Sequence, residues 1–139
     1  YSSQIEKIEY LPYQIRKVNS LQLVNADHLV YDYKYANRSA INALVEQQGD
    51  ADDNLMVKGG LLTDTSYANI VLSDGEYWYT PAQPLMMGSC RARLLEKSLV
   101  IPADIYAEHL SDFKEIRLVN AMIDLEDELS LHPKQLRPL

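Results

Sequence analysis

Between Asp53 and Pro81, four strand-length runs are punctuated by two glycine turns, and this pattern limits the possible folds more than any other feature of the chain. The runs "NLMVKG" and "GLLTDT" flank Gly59-Gly60, and "ANIVLS" and "EYWYTP" flank Asp74-Gly75. A Gly-Gly or Asp-Gly pair between such runs is a hairpin signal, because the tight turns that match the twist of paired strands need positive φ at their central residues. Two tight turns and one short link therefore predict a meander of four strands, with a sheet edge on which loop residues can be aimed.

The flanking segments add fewer constraints. In "IEKIEYLPYQIRK" apolar and polar positions alternate around Pro12, which predicts two short strands between Ile5 and Leu23, the proline marking an edge or a bulge. Ala36, Ile41, Leu44 and Val45 recur at helical spacing, so a helix is expected after Lys34, capped by Asn37 or Ser39 and stopped at Gly49. "SCRARLLEKSL" reads as a second helix with Ser89 at or near its N-cap. "IPADIYAEHL" begins as a strand and ends in a short helix, "EIRLVNAM" is a strand, and the tail from Asp124 is charged and ends in prolines. At 139 residues, 47% of them hydrophobic, the chain is expected to form one domain over residues 1–139.

Composition removes several classes of function. A net charge of −7 with scattered Lys and Arg opposes nucleic-acid binding, which needs clustered cations on the phosphate backbone. No apolar run approaches the roughly 18–20 residues that span a bilayer, and the segment from Tyr1 to Arg16 has no signal-peptide core. The single cysteine, Cys90, forms no internal disulfide and suits a reducing compartment, so a cytoplasmic protein is expected. The three histidines show no zinc spacing, so no metal site is expected. Ser66 and Ser98 lack the G-x-S-x-G elbow of a hydrolase.

Three places carry chemistry on local grounds, each beside a plainer reading. Gly88-Ser89-Cys90 opens a helix, where free N–H groups and the positive end of the helix dipole attract an anion such as a phosphate; most Gly or Ser residues at helix starts are only caps. Asp64, among neutral strand residues, is either an edge carboxylate binding local N–H groups or an acid held for a buried cation. Cys90 reads as a packed residue, at a position that can lower a thiol's pKa. Lys34, between Tyr33 and Tyr35, is by default a solvated charge.

Taken in order, "YKYANR", "LLTDTSYANIVL", "YTPAQPLMMGSCRARLL" and "IRLVNAMIDL", which span about Lys34 to Leu125, resemble the second half of the class IV aminotransferases, the fold-type IV pyridoxal-phosphate enzymes. The resemblance implies an α/β large domain with a mainly antiparallel, barrel-like sheet and flanking helices. It also implies that the family's smaller N-terminal domain is absent from this chain. By the same resemblance, Lys34 forms the Schiff base with pyridoxal 5'-phosphate and moves the substrate proton, and Arg38 lies near the cofactor's phenolic oxygen or a substrate carboxylate. Asp64 stands where the family has a glutamate that pairs with the pyridine nitrogen, one methylene longer. Asn69 is the asparagine of that motif. Ser89 and Cys90 are the middle residues of a GxxR phosphate loop closed by Arg91, a structural arginine, and Asn120 and Ala121 belong to a late loop near the phosphate and substrate carboxylate. The lysine-x-x-asparagine-arginine pattern at Lys34 leans toward an aminodeoxychorismate lyase, which converts 4-amino-4-deoxychorismate to 4-aminobenzoate and pyruvate. A branched-chain or D-amino acid transaminase and a non-catalytic dimeric relative are the alternatives. A small amino substrate and a homodimer, with the active site near the interface, complete what the resemblance implies.

Overall fold

The computed structural model describes residues 17–27, 47 and 49–139. Of the two short strands expected between Ile5 and Leu23, residues 5–16 lie outside the described residues and residues 21–23 fall in the first strand; the helix expected after Lys34 also lies outside them. Nine strands are present among the described residues: β1 (Leu21–Asn25), β2 (Asp53–Lys58), β3 (Leu61–Thr65), β4 (Asn69–Ser73), β5 (Trp78–Pro81), β6 (Ile101–Ala103), β7 (Glu115–Val119), β8 (Ser130–Leu131) and β9 (Leu136–Arg137). Helix α1 (Ser89–Glu96) joins β5 to β6, and short 3-10 turns occupy Ala107–Asp112, Leu125–Asp127 and Pro133–Gln135. The result is a mixed α/β domain dominated by sheet, as expected.

The meander forms where the glycine turns predict it, with β2, β3, β4 and β5 paired antiparallel in series. Gly59 and Gly60 both take positive φ, 61° and 79°, the conformation that a two-residue primed turn requires. The second connection is wider than the expected tight turn, because Ser73 pairs with Trp78 and leaves a four-residue loop. Asp74 is the reason: its Oδ1 accepts from the backbone N–H groups of Glu76 and Tyr77, both at 2.9 Å, and takes over bonds that a tighter hairpin would make itself. Three pairings are parallel, β1 with β2, β1 with β9, and β5 with β6.

Two layers of apolar side chains lie on opposite faces of the sheet. Leu21, Leu55, Leu62, Ile70, Leu118 and Leu131 belong to an inner core contributed by strands from β1 to β8, so the sheet curves around one interior. Val71 and Val119 face the other way and meet Cys90, Leu94 and Val100 from the α1 region. Burying each such Leu, Ile or Val stabilises the fold by ~1.5–3 kcal/mol. Strand β4 is the hub. Because β7 pairs with it from Asn69 to Ser73, β3 and β5 must share its other edge, β3 at Asn69 and β5 at Leu72 and Ser73. The sheet therefore splits beside the Asp64–Asn69 pair.

The tail from Asp124 departs from the sequence reading, which assigned it no element. It supplies β8 against β7 and β9 against β1, each two residues long and too short to leave a periodic signal. Gln22 Nε2 donates to the carbonyls of Arg137 (3.3 Å) and Pro138 (2.9 Å), which helps fix β9 to β1.

Candidate active site

The site begins with an irregularity in β3. Leu55 lies opposite Thr65 and Val57 opposite Leu62, so two steps along β2 face three along β3, a β-bulge. Side chains alternate faces along a strand, and an extra residue reverses that alternation. Leu62 therefore points into the inner core, whereas Asp64, two residues later, lies opposite Asn69 on the face that carries Val71 and α1.

Asp64 has 0% exposure there. Its Oδ2 accepts from the Met86 backbone N–H at 2.9 Å and from Asn69 Nδ2 at 3.3 Å, while its Oδ1 is buried without a partner. Burial raises the carboxyl pKa to about 7, against the Met86 and Leu85 backbone, the Thr63 side chain and the charge of Arg91. Of the two sequence readings, the acid is thus neither exposed nor at an edge, and one oxygen is open to a donor from outside the described chain. A carboxyl poised in this way responds strongly to an arriving cation or N–H donor.

Asn69 connects Asp64 to the next wall. Its Nδ2 also donates to the Met86 carbonyl at 2.8 Å, so one amide holds both the acid and the loop before α1. Gly88 follows two residues later as the N-cap of α1, with ordinary extended angles (φ −69°, ψ 149°). The glycine is needed for space, because a Cβ here would collide with the Asn69 Oδ1. Ser89 is thus the first helical residue instead of the cap, and Gly88 has no side chain to satisfy the first-turn N–H groups. Ala92 makes the helix's first inward bond, to the Gly88 carbonyl at 3.1 Å. The N–H groups of Ser89 and Cys90 precede it, as an anion site at a helix start requires.

Arg91 is buried beneath this loop. Its Nη2 donates to the Pro81 carbonyl at 3.1 Å, its Nη1 approaches the Met87 sulfur at 3.9 Å, and burial lowers its pKa against the pull of Asp64. The Cys90 thiol is raised by burial and by the Asp124 carboxylate, with Arg93 opposing. Loss of solvent and the nearby anion therefore oppose activation of this thiol at the helix start.

The late loop closes the far side. Asn120 and Ile123 exchange backbone bonds at 2.9 and 3.1 Å around an exposed Ala121, and Asn120 Nδ2 reaches the Tyr67 carbonyl at 3.2 Å. Asp124 pairs with Arg93 of α1 at 2.8 Å and ties this turn to the helix. The structure thus brings Asp64, Asn69, Ser89 and Cys90 into one connected region, with Asn120 and Ala121 in the turn bound to it. Lys34 and Arg38 lie outside the described residues. The Met86 N–H, the Arg93–Asp124 tie and the bulge in β3 were not legible beforehand: a backbone donor has no residue type, an ion pair between distant residues leaves no local signal, and a bulge cannot be seen in an alternating run. Among the described residues, no group of three His, Cys, Asp or Glu side chains is placed to hold a metal, and no helix is long and apolar enough to cross a membrane.

Comparison with known proteins bears on the family and the fold. A functionally uncharacterised protein of Haemophilus influenzae is 36% identical over 122 residues, 88% of this chain and 65% of that protein. A crystal structure of a candidate 4-amino-4-deoxychorismate lyase from Haemophilus somnus 129PT superposes with a TM-score of 0.75 at 35% identity, over 82% of this chain and 59% of the other. The chain thus spans somewhat less than two thirds of the length of these two relatives. The fold is shared more widely. An aminotransferase from Brucella abortus, bound to the cofactor pyridoxal phosphate, matches with a TM-score of 0.60 at 16% identity, over 84% of this chain and 47% of the other. The family model for amino-transferase class IV matches residues 3–125, and the chain belongs to that family.

Proposed function

We propose that the protein from which this chain comes is a pyridoxal-phosphate enzyme of the aminodeoxychorismate lyase type, releasing pyruvate from 4-amino-4-deoxychorismate to leave 4-aminobenzoate. The observation that carries the cofactor reading is the unpartnered, fully buried Asp64 Oδ1. A pyridinium N–H is the kind of donor it lacks, and pairing with one would offset the burial that now raises the acid. The 35% identity to the candidate lyase and the lysine-x-x-asparagine-arginine pattern at Lys34 support the lyase assignment.

Each residue has a stated task. Asp64 Oδ1 accepts the ring N–H, while Asn69 and the Met86 N–H, both bound to Oδ2, prevent the carboxylate from turning away. The backbone N–H groups of Ser89 and Cys90 bind the phosphate, and the Asn120–Ala121 turn borders the same region. Pyridoxal phosphate, when bound, draws electron density from the substrate carbon attached through its amine. Lys34 Nζ takes the proton from that carbon and returns it elsewhere on the substrate, and Arg38 contributes a positive charge to the site; both assignments rest on the family resemblance. Asp64 is one methylene shorter than the family glutamate, and the bulge in β3 turns it onto the site face.

The enzyme works as a homodimer on a small amino substrate. Ultraviolet-visible titration of the full-length protein with pyridoxal phosphate, beside Lys34→Ala, tests the cofactor. A visible band in the parent that is missing from the variant is the expected result, and no band in either overturns the proposal in favour of a non-catalytic relative. Assay of 4-aminobenzoate and pyruvate against amino-group exchange then separates lyase from transaminase.

A further inference from the structure

Asn54 has 0% exposure, and neither its Oδ1 nor its Nδ2 has a hydrogen-bond partner. Buried side-chain amides are nearly always paired, and one left empty at both ends points to a partner that arrives from elsewhere. The position of Asn54 indicates which partner. Its neighbours on β2, Leu55 and Val57, point into the inner core, so Asn54 lies on the opposite face. The bulge brings Asp64 of the adjacent strand to that same face, so two buried side chains with unmet polar atoms stand on neighbouring strands.

The order across this face is Asn54 on β2, Asp64 on β3, Asn69 on β4, and then the Met86 loop and α1. This inference rests on the cofactor reading above and extends it. With the ring nitrogen at Asp64 and the phosphate arm running toward α1, the ring edge bearing the 3-oxygen faces away from α1, toward β2. We propose that the Asn54 side-chain amide is a further cofactor contact, binding the 3-oxygen of pyridoxal phosphate. An amide suits this atom in either protonation state: Nδ2 donates to a phenolate, and Oδ1 accepts from a phenol. In each protonation state one of the two unmet atoms gains a partner from the same ligand group.

The test is equilibrium binding of pyridoxal 5'-phosphate and of its 3-deoxy analogue to the full-length protein and to Asn54→Leu, followed by fluorescence. The variant is expected to bind pyridoxal phosphate about tenfold more weakly or worse, and the 3-deoxy analogue within about twofold of the parent. Its ligand-free melting temperature should match or exceed the parent's, since no bond is lost. Equal loss for both ligands would reveal an indirect packing effect and overturn the proposal, as would undiminished affinity for pyridoxal phosphate; in either case the cofactor reading would stand. If the parent binds neither ligand, both readings fall. Asn54→Ala provides the same comparison if Asn54→Leu does not fold.

Discussion

At the residue scale the decisive feature is a carboxyl group whose surroundings oppose its charge. Asp64 is raised from 3.8 to about 7 in the ligand-free fold, chiefly by burial. The folded state therefore binds a proton that the unfolded chain has already released, so this acid's contribution to stability is fullest below about pH 4 and falls as pH rises toward about 7. Asp64→Asn removes that titration. Its stability relative to the parent should rise by about 1.4 kcal/mol per pH unit across that window and level off above it, as measured by urea unfolding of the ligand-free protein between pH 5 and pH 8. A flat difference would show that Asp64 stays ionised. Gly88→Ala tests the neighbouring contact. Its Cβ would collide with the Asn69 amide, so the variant should lose roughly 1–3 kcal/mol and bind pyridoxal phosphate more weakly, seen as a lower melting temperature and a shifted binding curve.

At the element scale, the start of α1 is held in place by partners of unequal worth. The Arg93–Asp124 ion pair has both side chains 46% exposed, and such a pair contributes under ~1 kcal/mol. Asp124 does more than pair with arginine. Its Oδ1 accepts from the Leu125 N–H at 2.7 Å, its own N–H donates to Asp127 Oδ2 at 2.8 Å, and the two residues form a capping box. Loss of a cap costs about 0.5–2 kcal/mol. Asp124→Ala should therefore destabilise the protein more than Arg93→Ala in chemical denaturation, and equal losses would show that the cap contributes nothing. The bulge in β3 is the other controlling element. Deleting Thr63 from it should restore strict alternation and drive Asp64 toward the inner core, abolishing cofactor binding and the cooperative melt together.

At the scale of the whole molecule, β4 acts as a hub because two strands divide one of its edges, and the candidate site lies at that division. Exposed Met87 and Met122 project from the loop before α1 and from the late turn, so the surface near the site is partly apolar. If the family's dimer covers this region, the full-length protein should have twice its monomer mass by light scattering at micromolar concentration. A monomer mass would refute the dimer and leave the cofactor site to be judged by binding alone.

The sequence by itself determined the local structure of the central sheet and the identity of the candidate acid. The Gly59-Gly60 turn, the strands around it, the helix from Ser89 and the family to which the chain belongs were all legible, because turn chemistry, alternation and motif order are written in adjacent residues. Only the tertiary structure decided which way the side chains face. The bulge that turns Asp64 away from the core, the amide of Asn69 spanning to Met86, the glycine spared a collision, and the strands of the tail all depend on residues distant in the chain. Burial and register belong to the assembled sheet. A carboxylate among neutral strand residues reads the same in sequence whether it is solvated or, like Asp64, sealed in the fold with one oxygen unpaired.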